Sequence, residues 1–293
     1  MKGIVLTAGG GTRLQPMTWA TSKQLLPIYD KPMIYYPISV LFEAGIRDIL
    51  MVTTEHDLPT YKELLGDGHQ FGVNFSYVTQ PTMDGVPQGI VLGKDFIGDD
   101  SVALVLGDNV FYGSGFKQNL AHALENASKG TATIFGCRVE DPTRFGVVDF
   151  DAKGTAISIE EKPVVPKSNY AVTGLYFFDN SVVEMACNLQ PSAMGKYEIT
   201  DICQQYLEQK RLKVEQLDLS FAWFDTGTVD SLFNAGEFIR VMQQSTGVKV
   251  AALEEIAYEA GWIKRAHLLK CADRLKKTDY GKYLENIALS TRH

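Results

Sequence analysis

Cysteine pairs, long apolar runs and an excess of positive charge are all missing from this sequence. Its four cysteines, Cys137, Cys187, Cys203 and Cys271, stand far apart in 293 residues with no C-x-x-C pair. That spacing gives neither a zinc site nor a disulfide framework, and the residues read as free, mostly buried thiols. No run approaches 18 apolar residues, and the chain does not start with a basic stretch followed by an apolar one, so the expectation is a soluble, cytoplasmic protein with no membrane partner. Lys and Arg number 28 against 35 Asp and Glu, a formal charge of −7. A pI near 5.3 argues against a nucleic-acid binder, which normally shows a basic face, so the expected nucleotide ligand is a free small molecule. Internal repeats, low-complexity segments and long linkers are absent as well. With 45% hydrophobic and 22% charged residues, what is present is an ordinary globular composition.

Apolar, β-rich runs near 2–8, 48–54, 74–80, 101–107 and 131–138 alternate with helix-like segments near 32–44, 60–65, 87–97 and 116–128. Repeated β-α units of this spacing predict a parallel sheet covered on both faces. The run Val102-Ala103-Leu104-Val105-Leu106 is apolar throughout, as a central strand buried on both sides must be. After residue 140 come shorter extended pieces, 146–150, 157–161, 170–178 and 214–224, with helices near 181–189 and 198–210. They read as a mixed region laid against the parallel sheet. From about 229 the pattern is helical, with Leu232, Ala235, Phe238, Ile239 and Met242 at three- and four-residue steps.

The densest chemistry lies between residues 3 and 27. An apolar strand, the turn Gly9-Gly10-Gly11, Arg13 and then Lys23 supply inward-facing amides and fixed positive charge, the parts of a polyphosphate pocket. The order is neither that of a P-loop nor G-x-G-x-x-G, and a glycine turn after a strand is also how α/β chains reverse. Asp108 follows a buried strand and Asp225 ends an extended run. Two such carboxylates beside a triphosphate suit Mg²⁺, although a lone strand-end Asp is more often a cap or turn former. In Glu160-Glu161-Lys162-Pro163 the cation fits a second phosphate and Glu161 fits sugar hydroxyls; a solvated charged turn is the alternative. Gln80-Pro81, followed by Asp84-Gly85, offers an amide to the edge of thymine or uracil, or is a surface residue.

Long motifs in order resemble one family. Gly11-Thr12-Arg13-Leu14, the run 22–37 (SKQLLPIYDKPMIYYP), Leu64-Leu65-Gly66-Asp67-Gly68, Leu106-Gly107-Asp108-Asn109, Glu160-Glu161-Lys162-Pro163, the run 167–176 (KSNYAVTGLY) and Asp225-Thr226-Gly227-Thr228 are similar to those of the glucose-1-phosphate thymidylyltransferases, which are sugar nucleotidyltransferases. The resemblance spans essentially the whole chain. It implies an α/β fold with a Rossmann-like mixed, mainly parallel sheet, helices on both faces and a C-terminal helical extension. Residues 1–228 would be the nucleotidyltransferase core, nucleotide-binding to about 140 and sugar-binding from 141, with 229–293 serving packing, subunit contact and regulation.

By the same resemblance the protein joins dTTP and α-D-glucose 1-phosphate into dTDP-glucose with release of pyrophosphate, in Mg²⁺, as the first step toward dTDP-rhamnose and other deoxysugars. Arg13, Lys23, Asp108, Lys162 and Asp225 would be catalytic, with Asp108 and Asp225 as the metal ligands. Leu6, Ala8, Gly9, Gly10, Gly11, Thr12, Gln80, Pro81 and Gly85 would join Arg13, Lys23 and Asp108 around the nucleotide. Asn109, Gly146, Glu161, Lys162, Val172, Tyr176, Thr200 and Trp223 would hold the sugar phosphate. The implied assembly is a homotetramer, a dimer of dimers. A UTP-dependent or other sugar-phosphate nucleotidyltransferase is the nearest alternative, and a nucleotide-sugar sensor without catalysis is one from another class.

Three stretches depart from the family pattern. Ala8 stands where a glycine is usual, placing a methyl near the nucleotide. Val86-Pro87-Gln88-Gly89 replaces Leu-Ala-Gln-Ala, and Pro87 suits a first helical turn. Asp218-Leu219-Ser220 replaces Gly-Arg-Gly. Members with the extension are commonly inhibited by dTDP-rhamnose at a separate site near subunit contacts, and an arginine meeting an effector phosphate there contributes about 1.5–3 kcal/mol. With Leu219 in its place, feedback inhibition is expected to be weak or altered; undiminished inhibition by dTDP-rhamnose in a rate assay contradicts this.

Overall fold

The computed structural model describes residues 1–192 and 195–290. In chain order its strands are β1 (Lys2–Leu6), β2 (Pro27–Ile28), β3 (Lys31–Pro32), β4 (Asp48–Thr53), β5 (Asn74–Thr79), β6 (Val102–Leu106) and β7 (Asn109–Tyr112). They continue with β8 (Ala132–Arg138), β9 (Gly146–Phe150), β10 (Ala156–Glu161), β11 (Tyr170–Phe178), β12 (Leu212–Leu217) and β13 (Ala222–Asp225). Nine of them build one sheet in the order β10-β9-β11-β6-β1-β4-β5, with β8 joining β11 to β12. Pairing of β1 with β4 and β6, and of β4 with β5, is parallel. Helices such as Tyr35–Glu43 and Leu58–Leu65 make the crossovers that parallel strands require.

The pieces after residue 140 do not lie against this sheet; they extend it. β11 pairs antiparallel with β6, Leu175 opposite Val105. Its residues from Ala171 to Phe178 are all buried, so a central place in the sheet is the only one that covers both faces. The extended piece expected at 214–224 divides in two. β12 runs parallel to β8, whereas β13 leaves the main sheet to pair with β7. Between them a turn is closed by the Ser220 amide donating to Asp218 Oδ1 at 2.7 Å.

Successive residues of a strand serve opposite faces, and Ile4 and Val5 of β1 enter different cores. On one face Val5, Met51, Val105 and Phe177 pack with helix Phe116–Ser128 and with helices Leu253–Glu259, Arg265–Arg274 and Asp279–Leu289. On the other, Ile4, Leu50, Leu104 and Phe178 meet helices Val182–Asn188 and Ile199–Glu208. Each such side chain taken out of water contributes about 1.5–3 kcal/mol. Helix Val229–Thr246 uses Ala235 and Ile239 of the expected apolar stripe in a third core with Ile28, Met33, Tyr36 and Val110. All four cysteines are free; Cys137, Cys203 and Cys271 are buried, while Cys187 is exposed. Among the described residues no helix is long and apolar enough to cross a membrane.

β1, β4, β5 and β6 all end at one edge, where the loops after Leu6, Thr79 and Leu106 gather. Among the C-terminal helices, Glu255 accepts a hydrogen bond from the Tyr283 hydroxyl at 2.7 Å. Burial outweighs that bond, and with the Glu259 charge it pushes the Glu255 carboxyl up to about 7. Since the folded value lies above the ordinary 4.5, the protonated form is favoured in the fold. The stabilisation is complete below about pH 4.5 and lost as pH rises through about 7. Glu255→Gln keeps a hydrogen-bonding group without the charge, so it is expected to raise the unfolding temperature more at pH 8 than at pH 5. Equal shifts at both pH values refute the placement.

Candidate active site

Where β1 and β6 end side by side, the Gly107 amide donates to the Leu6 carbonyl at 2.8 Å and the chain then opens in both directions. One cavity of about 210 Å³ is lined by Leu6, Ala8 and Gly9 after β1, by Lys23, and by Gln80 and Gly85 after β5. A second, of about 240 Å³, contains Arg13, Gly146, Glu161, Lys162 and Tyr176 on its wall. Val86, Leu106 and Asp108 line both, so the two compartments meet at Asp108.

Asp108 follows the last residue of β6 by two positions, and its side chain is 14% exposed. Lys23, on the single turn Lys23–Leu25, donates to its Oδ2, and Asn109 Nδ2 donates to Oδ1 at 3.0 Å. Burial alone would raise the Asp108 carboxyl, but the Lys23 charge and hydrogen bond hold it below its ordinary value. Asp225, opposite Asn109 in the β13–β7 register, goes the other way. Burial and the neighbouring Asp108 charge push it up, against the opposing pull of Lys23, Arg13 and Arg144.

Each residue of Asp225-Thr226-Gly227-Thr228 has its own task. The Thr226 amide and hydroxyl both donate to the Asp108 carbonyl, at 3.0 and 2.7 Å, tying the two acidic segments together. A Cβ on Gly227 would lie 2.6 Å from the Arg13 guanidinium, so glycine admits that cation beside Asp225. Thr228 caps helix Val229–Thr246, its Oγ1 accepting the Ser231 amide at 3.2 Å while Ser231 Oγ accepts the Thr228 amide at 3.1 Å.

Across the second cavity, Glu161 at the end of β10 is held by the Lys162 ammonium and by the Thr200 hydroxyl, which donates to it. Lys162 has φ of +43°, a left-handed conformation uncommon for lysine and of the kind that collects at functional sites. Its amide donates to the Phe145 carbonyl at 3.0 Å. Glu198, also on this wall, has its carboxyl raised by burial and by Glu161. Asn109, Val172 and Trp223 complete the expected sugar-side set, so all eight members line one cavity.

The tip of the loop after β1 stands outside both cavity walls. Gly10, Gly11 and Thr12 line neither cavity, and neither does Pro81, which is exposed. Only Gly11 of the three glycines needs a positive φ, +56°; Gly9 and Gly10 serve by leaving the loop thin. Ala8 is buried on the cavity wall, and Pro87 caps helix Gln88–Leu92 with φ of −57°, as its position suggested. Sequence reasoning missed Met83, Val86 and Leu106, whose side chains carry no chemical signal of their own, and Gln24, whose amide lies in a motif but was given no role. It also missed Arg144, whose guanidinium lies 3.9 Å from Asp225 Oδ2. Arg144 sits in a loop between β8 and β9, two residues before Gly146 and outside any motif.

Among the described residues no group of three or more His, Cys, Asp or Glu side chains is placed to hold a metal. The paired carboxylates Asp108 and Asp225, with the charge of one raising the pKa of the other, fit a cation completed by phosphate oxygens and water, which is how Mg²⁺ is ordinarily bound.

Residues 2–241 match the family model described as nucleotidyl transferase. A glucose-1-phosphate thymidylyltransferase of Mycobacterium tuberculosis is 54% identical over 284 residues, covering 97% of this chain and 98% of its own. One from Neisseria gonorrhoeae is 52% identical over 284 residues, with 97% and 98% covered. Among solved structures, a Bacillus anthracis protein provisionally assigned as a glucose-1-phosphate thymidylyltransferase, in complex with sucrose, has a TM-score of 0.76 at 39% identity, covering 82% of this chain and 95% of that one. A UDP-glucose pyrophosphorylase holding UDP-glucose has a TM-score of 0.72 at 24% identity, covering 82% and 98%, a likeness of fold alone.

Arg144 is half exposed, so its loss costs the fold little. Arg144→Met is expected to raise the dissociation constant of inorganic phosphate about tenfold, the loss of one charge-assisted hydrogen bond, with the unfolding midpoint unchanged. Unaltered affinity by calorimetry removes Arg144 from the site.

Proposed function

The chain belongs to the nucleotidyl transferase family, and on that premise we propose that it is a glucose-1-phosphate thymidylyltransferase, making dTDP-glucose and pyrophosphate from dTTP and α-D-glucose 1-phosphate. The observation that carries this reading is the meeting of two compartments at Asp108. One has Ala8 and Gly9 of the loop after β1, Lys23 and an amide at Gln80; the other has Lys162, Arg144 and the sugar-hydroxyl acceptor Glu161.

A phosphate oxygen of the sugar phosphate attacks the α-phosphorus of dTTP in line. The new P–O bond forms as the bond to the bridging oxygen of pyrophosphate breaks, with no covalent enzyme intermediate. Such chemistry is positioning and charge neutralisation. Arg13 and Lys23 neutralise the triphosphate and the departing pyrophosphate. Lys162 and Arg144 hold the attacking phosphate, and Glu161, oriented by Thr200, accepts sugar hydroxyls. Gln80, whose amide presents an NH2 donor group beside a carbonyl acceptor, pairs with N3–H and the adjacent carbonyl of the base. Asp108 and Asp225 would hold Mg²⁺, which supplies further neutralisation of phosphate charge when bound.

The reading extends to location and assembly. A cytoplasmic enzyme would meet dTTP and feed deoxysugar synthesis, rhamnose among its outlets. A homotetramer would cover the apolar patch of Met17, Tyr29, Val229 and Phe233, all more than two-fifths exposed.

Pyrophosphate release measured with dTTP and UTP against a panel of sugar phosphates in Mg²⁺ tests the substrates. Fastest turnover is expected with dTTP and glucose 1-phosphate, and a preference for UTP overturns the base assignment. Asp108→Asn is expected to lower turnover by about 100-fold or more while sparing sugar-phosphate binding; a near-native rate rules out Asp108 as a metal ligand.

A further inference from the structure

Asn109 stands between three segments on which both compartments depend. It is 2% exposed, and its Oδ1 accepts two N–H groups, the Gly174 backbone amide at 3.0 Å and the Trp223 indole at 2.6 Å. Two donors on one atom fix which end of the amide is oxygen. The nitrogen must face the other way, and there it donates to Asp108 Oδ1 at 3.0 Å. The fit admits no larger residue at 174, since a Cβ on Gly174 would lie 2.7 Å from Asn109 Cγ. Trp223 is fixed in turn by its place on β13 opposite Phe111 and by its ring against Phe145, centroids 5.0 Å apart.

We propose that Asn109, oriented by Trp223 and Gly174, is a positioning residue that sets the plane of the Asp108 carboxylate, and that the Trp223 indole N–H serves this clamp and is not a hydrogen-bond donor to the sugar. The expectation from sequence placed both among the sugar-phosphate contacts. The only polar group of Trp223 is already used, and Asn109 has one N–H left. Trp223 remains part of the cavity wall. Asp108 thus has one oxygen on a rigid partner, Asn109, and one on the long, flexible Lys23. The carboxylate keeps its orientation when the ammonium turns to a phosphate. Because β13 carries both Trp223 and Asp225, the same bond registers one acidic residue against the other.

The bonding pattern stands without the reading of the reaction; its kinetic consequence rests on that reading. In full-length protein labelled with ¹⁵N-tryptophan, three indole signals are expected from three tryptophans. Trp223→Phe identifies the signal of Trp223, which in Asn109→Ala should move upfield and exchange its hydrogen faster; an unmoved signal refutes the clamp. For Trp223→Phe, kcat is expected to fall about 5- to 10-fold, the loss of one hydrogen bond. The KM for glucose 1-phosphate should stay within about twofold, a split that marks an interaction outside ground-state sugar binding. A raised KM with kcat unchanged makes Trp223 a substrate contact and overturns the proposal. Should Asn109→Ala not fold, Mn²⁺ binding in the presence of pyrophosphate, read by electron paramagnetic resonance on Trp223→Phe, decides instead. Weaker Mn²⁺ binding supports the clamp, and binding equal to wild type refutes it. Wild-type protein that releases no pyrophosphate from dTTP and glucose 1-phosphate defeats the substrate reading, and the Mn²⁺ comparison still decides the clamp.

Discussion

A mostly buried carboxylate without a partner costs several kcal/mol, and the arrangement of this site follows from how that cost is met at Asp108. Lys23 supplies the charge, Asn109 the second hydrogen bond and Thr226 the ties to the main chain. Each partner comes from a different part of the sequence. Holding them together needs β1, β6 and β13 in place at once, so the integrity of the fold and the order of the site are one requirement.

Placing Asp225 beside Asp108 adds a second constraint. Burial raises Asp225 most, and the Asp108 charge adds to it because neighbouring carboxylates oppose each other's ionisation, although Lys23, Arg13 and Arg144 all draw it down. The ring of cations keeps the acidic pair from being prohibitively unfavourable in the empty site. The same cations suit ligands that carry several negative charges and bring positive charge with them. A site of this kind is poorly matched to a neutral sugar alone, and well matched to phosphates on both sides of the acidic pair.

Much of the site was legible because its residues lie in motifs whose order is rigid. Asp108, Glu161, Lys162 and Asp225 carry charges at or just past strand ends, with Arg13 and Lys23 in the loop that follows β1, and charges gathered around one edge of an α/β sheet have few ordinary explanations once several occur together. At the tip of the glycine loop the sequence could not tell its residues apart, because three successive glycines look alike and only Gly11 has the left-handed backbone angle that favours glycine. Arg144 was invisible, since a surface loop with an arginine has no pattern. Among the strands, β11 was found but misplaced, because its apolar run says that it is buried and not which strand it pairs with.

By itself the sequence determined the β-α alternation up to residue 140, the burial of the central strands, the helical character from 229 onward and the charged residues available for chemistry. These follow from periodicity and residue type, which are local properties. Only the tertiary structure decided that β11 continues the sheet in antiparallel register, that β13 leaves it to set Asp225 beside Asp108, and that Asn109 faces a carboxylate with its nitrogen. Those outcomes depend on which distant segments compete for the same hydrogen bonds and the same apolar surface, and that competition is settled only when the whole chain is packed.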